Sequence, residues 1–164
     1  KNGGRAVMWK TGHSLIKEKM KAEAAELAGE MSGHMFFADR YFGYDDAVYA
    51  SCRIIEIISR TGQSVSELLA DVPPTFSTPE IRVECPDHKK FRIVEKLTRD
   101  FQKKYNVIDI DGARIVFDDG WGLVRASNTQ PALVLRFEAL SKARLDEIRH
   151  MVESRLSEIQ GTID

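Results

Sequence analysis

Apolar and polar positions change their period several times along the chain, and each change marks an element. Arg5-Ala6-Val7-Met8-Trp9 is a short apolar run that predicts a buried strand. Lys10-Thr11-Gly12-His13 reads as a loop, with Ser14 as the N-cap of a helix. Leu15, Ile16, Met20, Ala24 and Leu27 recur at helical spacing and predict that helix to about Leu27. Gly29-Glu30-Met31-Ser32-Gly33 breaks it, and His34 to Phe37 predicts a second strand. An aromatic turn, Tyr41-Phe42-Gly43-Tyr44, leads into a helix from Asp45 to Thr61 with Val48, Cys52, Ile55 and Ile58 on its inner face. A short helix from Ser64 to Leu69 follows. This β-loop-α-loop-β-α order predicts part of an α/β layer.

Beyond Val72-Pro73-Pro74-Thr75 the rhythm differs, because two prolines cannot continue a helix and they stiffen a linker. Ile81, Val83 and Cys85 alternate as a strand. Asp87 can cap a helix from His88 to Tyr105 with Phe91, Val94, Leu97, Phe101 and Tyr105 facing inward. Strands are predicted at Ile108–Ile110, Ala113–Phe117, Trp121–Ala126 and Ala132–Phe137, with Asp118-Asp119-Gly120 as a hairpin signal. Ser141 opens a last helix carrying Leu145, Ile148, Val152, Leu156 and Ile159. The expected second domain is α+β, an antiparallel sheet with helices on one face. The expected boundaries are 1–72, a linker at 73–76, and 77–164.

Composition narrows the function classes. Hydrophobic residues make up 43% of the 164, enough for packed cores. Nine basic and ten acidic residues precede Pro73, and fifteen of each follow it. Neither half is a cationic surface, which argues against nucleic acid or an anionic membrane as partner. Cys52 and Cys85 match no metal-ligand spacing and read as two buried thiols of a reducing compartment. The chain shows neither a secretory leader nor a run of membrane-spanning length, so a cytoplasmic protein is expected. It opens Lys1-Asn2 without methionine and runs at once into the first predicted strand, which reads as a piece of a longer protein.

Three polar, glycine-punctuated or hydroxyl-rich segments sit at predicted strand ends, where sites are commonly built. In Arg125-Ala126-Ser127-Asn128-Thr129-Gln130-Pro131 an arginine fork, hydroxyls and consecutive backbone N–H groups suit a phosphate dianion; the alternative is a polar hairpin loop satisfying its own backbone. In Gly29-Glu30-Met31-Ser32-Gly33-His34 a carboxylate can accept from two adjacent sugar hydroxyls; the alternative is a helix C-cap and a turn. In Lys10-Thr11-Gly12-His13-Ser14 a helix N-terminus with added donors can attract an anion; the alternative is a surface cap. His88 and His150 lie on predicted helix surfaces and receive no role.

These three segments, in this order, resemble the α-D-phosphohexomutase family. Glu30-Met31-Ser32-Gly33-His34 is similar to its sugar-recognition loop, with methionine as in the bacterial phosphomannomutase/phosphoglucomutase branch. Trp9 to Ser14 resembles the third-domain loop, and Arg125 to Thr129 the fourth-domain phosphate loop. The resemblance implies an α/β third domain lacking its first strands and a fourth domain of the TATA-box-binding-protein fold. It implies that Arg125, Ser127, Asn128 and Thr129 hold the unreacting phosphate, and that Glu30 and Ser32 grip the 3- and 4-hydroxyls. Gly12, His13 and His34 would line the site, His13 with an assisting role in proton transfer. The family works through a phosphoserine, magnesium and a glucose 1,6-bisphosphate activator. Neither its serine loop nor its Asp-Gly-Asp-x-Asp-Arg metal loop occurs here. The chain therefore reads as a substrate-binding C-terminal piece, with no catalytic or metal-ligating residue of its own. Its partners would be hexose phosphates and the N-terminal domains of its parent. Two other readings remain open, a phosphosugar- or protein-binding module without enzymatic activity, and a phosphoglucosamine mutase.

Overall fold

The computed structural model describes residues 3–163. Lys1, Asn2 and Asp164, which lie at the outer ends of the expected domains, are outside the described residues. The chain divides between Val72 and Pro73 into two units.

The first unit runs α1 (His13–Glu23), β1 (Leu27–Gly29), β2 (Met35–Phe37), β3 (Tyr44–Asp45), α2 (Ala47–Thr61) and α3 (Val65–Leu68). Its sheet is antiparallel in the order β1-β2-β3, with Ala28 opposite Phe36 and Phe37 opposite Tyr44. Several expectations are corrected. Arg5 to Trp9 forms no strand and is exposed rather than buried, because no described strand runs beside it to complete a ladder. Helix α1 stops at Glu23, since Ala24 turns left-handed at φ 50° and the Ala25 N–H closes back on the Met20 carbonyl at 2.9 Å. That early stop frees Leu27 to Gly29 to form β1. The cap of α1 is Gly12 rather than Ser14, and α2 is capped by Asp46, whose carboxylate accepts the Tyr49 N–H at 2.9 Å. His34 lies just before β2, and Tyr44 joins β3.

Packing in this unit is thin. Ile16, Met20 and Phe36 are its buried hydrophobic cluster. Helix α2 meets β2 through Tyr49 and Arg53, whose ring and guanidinium lie 5.5 and 5.0 Å from the Phe37 ring. The face expected inward, with Val48, Cys52 and Ile55, is exposed, so Cys52 is not a buried thiol.

The second unit runs β4 (Phe76–Ser77), β5 (Ile81–Glu84), α4 (Asp87–Gln102), β6 (Asn106–Ile108), β7 (Ala113–Phe117), β8 (Gly120–Ala126), β9 (Ala132–Ala139) and α5 (Lys142–Gln160). The antiparallel order is β4-β9-β8-β7-β6, with β5 also on β9. The Asp118-Asp119 turn joins Phe117 to its partner Gly120, as the hairpin signal required. Alternate residues Ile115, Val124, Leu133, Leu135 and Phe137 are sealed under Leu97 of α4 and Ile148 and Val152 of α5. Ser141 caps α5 by accepting the Arg144 N–H at 3.2 Å. Three expectations shift here. Asp87 is the first helical residue after an N-cap at Pro86, Phe91 points to solvent, and the strand after α4 is Asn106–Ile108 rather than Ile108–Ile110. Strand β4 was missed because a two-residue edge strand has no readable period.

Candidate functional site

In the first unit, residues distant in sequence converge on Glu30. Gly12 adopts φ 130°, a left-handed-side conformation open to glycine. Its N–H donates to Glu30 Oε1 at 2.8 Å, and Ser32 Oγ donates to Glu30 Oε2 at 3.2 Å. The β1–β2 turn that carries Glu30 is closed by two backbone bonds, Glu30 N–H to the His34 carbonyl and Gly33 N–H to the Glu30 carbonyl, both at 3.0 Å. An ionised carboxylate has roughly four acceptor sites. With one used on each oxygen, each oxygen keeps one for a vicinal pair of hydroxyls.

His34 stands at the end of that turn, exposed, with Nδ1 2.5 Å from Asp45 Oδ2. Asp45 Oδ1 also accepts the Met35 N–H at 3.2 Å, which fixes the carboxylate on the β2–β3 ladder. A carboxylate can only accept, so Nδ1 carries the proton and Nε2 is left for another group. Asp45 was not singled out from the sequence, because the pairing depends on β3 lying beside β2. His13 is exposed on the first turn of α1, with Ser14 Oγ 3.4 Å from its Nδ1.

In the second unit, Arg125 to Pro131 connects β8 to β9. Ser127 is buried, and its Oγ accepts the N–H groups of Thr129 at 3.4 Å and Gln130 at 3.1 Å. Its own N–H donates to the Ala132 carbonyl at 2.9 Å. With both lone pairs of the hydroxyl engaged, the Ser127 O–H can act only as a donor. Asn128 and Thr129 are exposed at the tip. Arg125 lies half-buried at the end of β8 and, among the described residues, has no ion-pair partner. Its backbone is set by Gly112, another residue the sequence did not flag. A Cβ on Gly112 would fall 2.5 Å from the Val124 carbonyl oxygen and 2.7 Å from Arg125 Cα, and Gly112 has φ 89°. The Asp111-Gly112 dipeptide between two strand runs was the available signal.

Among the described residues no group of three or more His, Cys, Asp or Glu is placed to hold a metal ion, and no helix is long and apolar enough to cross a membrane.

Two family models match the chain, the alpha/beta/alpha domain III of phosphoglucomutase/phosphomannomutase over residues 1–76 and the C-terminal domain of the same proteins over residues 80–155. The chain belongs to the phosphoglucomutase/phosphomannomutase family. It is 51% identical over 160 residues to a phosphomannomutase/phosphoglucomutase of Pseudomonas putida, covering 97% of this chain and 35% of the relative. It is 47% identical over 152 residues to a phosphoglucomutase of Neisseria gonorrhoeae, covering 91% of this chain and 33% of that protein. A crystal structure of a phosphoglucomutase/phosphomannomutase family protein from Burkholderia thailandensis superposes with a TM-score of 0.85 at 42% identity, covering 99% of this chain and 34% of the other. The chain thus spans about a third of the length of these phosphoglucomutase/phosphomannomutase relatives, in the part formed by the third and C-terminal domains.

Proposed function

We propose that this chain supplies substrate recognition to a phosphohexomutase that interconverts hexose 1-phosphates and hexose 6-phosphates through a 1,6-bisphosphate, working in the cytoplasm with glucose and mannose phosphates. The first unit recognises hydroxyls and the second recognises phosphate. The observation that carries this reading is the state of Glu30, held at both oxygens by Gly12 and Ser32 with one acceptor site left on each. A carboxylate pinned in this way is preorganised for two neighbouring hydroxyls such as those at C3 and C4. Those two hydroxyls present a similar spacing in both orientations of the sugar, which lets one site accept the 1- and the 6-phosphate. A looser reading of the C2 hydroxyl would let the site take glucose and mannose phosphates alike.

At the second unit, Arg125 would fork two phosphate oxygens while Ser127, Asn128 and Thr129 donate to the others. Fixed donors of this kind recognise a dianion without a metal. His34, oriented by Asp45, and His13 would stand near the hydroxyl-recognising group, with His13 assisting proton movement at the sugar oxygen. A magnesium ion would be held by the N-terminal domains of the parent protein. The phosphoryl-carrying serine would come from the N-terminal domains of the parent protein.

The test has two arms. The isolated chain should bind glucose 1,6-bisphosphate and should convert no mannose 1-phosphate to mannose 6-phosphate until the N-terminal domains are supplied. Turnover by the isolated chain at an enzyme-like rate contradicts the proposal. A clear preference for glucosamine phosphates over glucose and mannose phosphates moves the reading to a glucosamine-specific mutase.

A further inference from the structure

Among the described residues the buried polar or charged side chains are Lys90, at 4% exposure, and Ser127, at 6%. Lysine is rarely buried unless something fixes its ammonium. Lys90 lies on the first turn of α4, outside every segment that reads as a site in the sequence. Its Nζ donates to the Gln130 carbonyl at 3.0 Å and sits 2.6 Å from Asp87 Oδ1. The two buried polar residues therefore hold opposite sides of one residue in the 125–131 loop. Ser127 takes the Gln130 N–H, and Lys90 takes the Gln130 carbonyl. Arg82 of β5 binds the Gln130 side-chain oxygen, and the Cys85 N–H donates to the Pro131 carbonyl at 2.9 Å. The β5–α4 corner is thus the floor of the loop.

The charges of the Lys90–Asp87 pair are unequally screened. The Asp87 side chain is 73% exposed while that of Lys90 is 5% exposed. A charge in water is screened strongly and a charge in the interior weakly. The carboxylate therefore offsets the ammonium incompletely at the loop, and the remaining positive charge has the sign a phosphate dianion requires.

Resting on the reading of residues 125–131 as a phosphate loop, we propose that Lys90 is a positioning residue for the phosphate ligand, which fixes the Gln130 peptide and places a buried positive charge, only partly offset by the exposed Asp87, beneath the loop. A purely structural lysine would need only its hydrogen bond. A phosphate-positioning lysine also needs its charge to be felt by the ligand.

The experiment uses the 164-residue chain and titrates it with inorganic phosphate and with glucose 1,6-bisphosphate, following the amide signals of Ser127 to Gln130 by NMR. Lys90→Met should weaken both ligands about tenfold, and Lys90→Arg, which keeps a cation and a donor, should recover most of that loss. Asp87→Asn removes the exposed counter-charge without touching the loop, and should tighten both ligands about twofold to fivefold, an effect that fades with added salt. Unchanged affinity in a folded Lys90→Met chain overturns the proposal. If Lys90→Met does not fold, Asp87→Asn decides: tightening supports the role, and unchanged or weaker binding overturns it. A wild-type chain that takes up neither ligand at these amides refutes the phosphate loop itself, whereas wild-type binding that is matched by Lys90→Met refutes only Lys90.

Discussion

The two units build recognition loops by different means. In the second unit the 125–131 loop springs from strands whose inner residues are sealed in a large apolar core, and its backbone is tied to α4 and β5. In the first, a cluster of Ile16, Met20 and Phe36 supports a turn whose geometry comes from polar bonds: Gly12 and Ser32 to Glu30, and His34 to Asp45. A loop set by a core is rigid as long as the core is intact. A loop set by exposed polar bonds is adjustable and sensitive to each partner. The phosphate grip should thus behave as a fixed fixture and the hydroxyl grip as the tunable one.

The largest expected effect attacks the core of the second unit. Leu97 is fully buried, and Leu97→Ala should destabilise that unit by about 2–5 kcal/mol. Thermal unfolding read at Trp121 should shift down while the first unit, read by hydrogen exchange at Phe36, stays as it was. Equal shifts in both would show that the units do not differ in this way. Arg125→Ala comes next. Loss of charged hydrogen bonds to phosphate should cost about 1.5–3 kcal/mol, roughly 10- to 150-fold in affinity by calorimetry. Unchanged affinity removes Arg125 from the site.

Gly112→Ala sharpens the comparison, because the added Cβ would collide with the Val124 carbonyl at 2.5 Å in a backbone of positive φ. A loss of about 1–3 kcal/mol in stability is expected, with phosphate affinity falling alongside as Arg125 is displaced. Glu30→Gln keeps the shape but removes the charge and trades one acceptor oxygen for an NH2 donor, so sugar affinity measured by calorimetry should drop by about fivefold.

The smallest effect is acid-dependent. Side-chain hydrogen bonds from Lys103 and then Arg155 hold Asp100 down at about 2 from an ordinary 3.8. A carboxyl lowered on folding stabilises above its unfolded value, and that contribution is lost as pH falls from about 4 towards 2. The pair lies near the surface, so its contribution is at most about 1 kcal/mol. Arg155→Met should flatten this part of the acid-unfolding curve measured by circular dichroism.

What the sequence revealed follows the same division. The β7–β8 hairpin, the inward positions of β8 and β9 and the Ser141 cap were readable because period, turn chemistry and cap are local signals. The stop of α1 at Glu23 was not, because a left-handed alanine at position 24 has no composition signature and arises from what β1 does next. The inward face of α2 was misassigned because apolar spacing shows which residues share a face but not which face is covered. In the site, Glu30, Ser32, His34 and Arg125 to Thr129 stood out through residue type. The pairings that support them did not: Gly12, itself a candidate, on Glu30, Asp45 on His34 and Lys90 on Gln130 are contacts across the fold.

The most direct measurement is an amide-resolved titration of the wild-type chain with glucose 1,6-bisphosphate. Saturable shifts are expected at Gly12, Glu30 and Ser32 in one unit and at Ser127, Thr129 and Gln130 in the other. Binding that leaves both groups of amides unmoved, or no binding at all, would contradict the assignment of hydroxyl and phosphate recognition to these two loops.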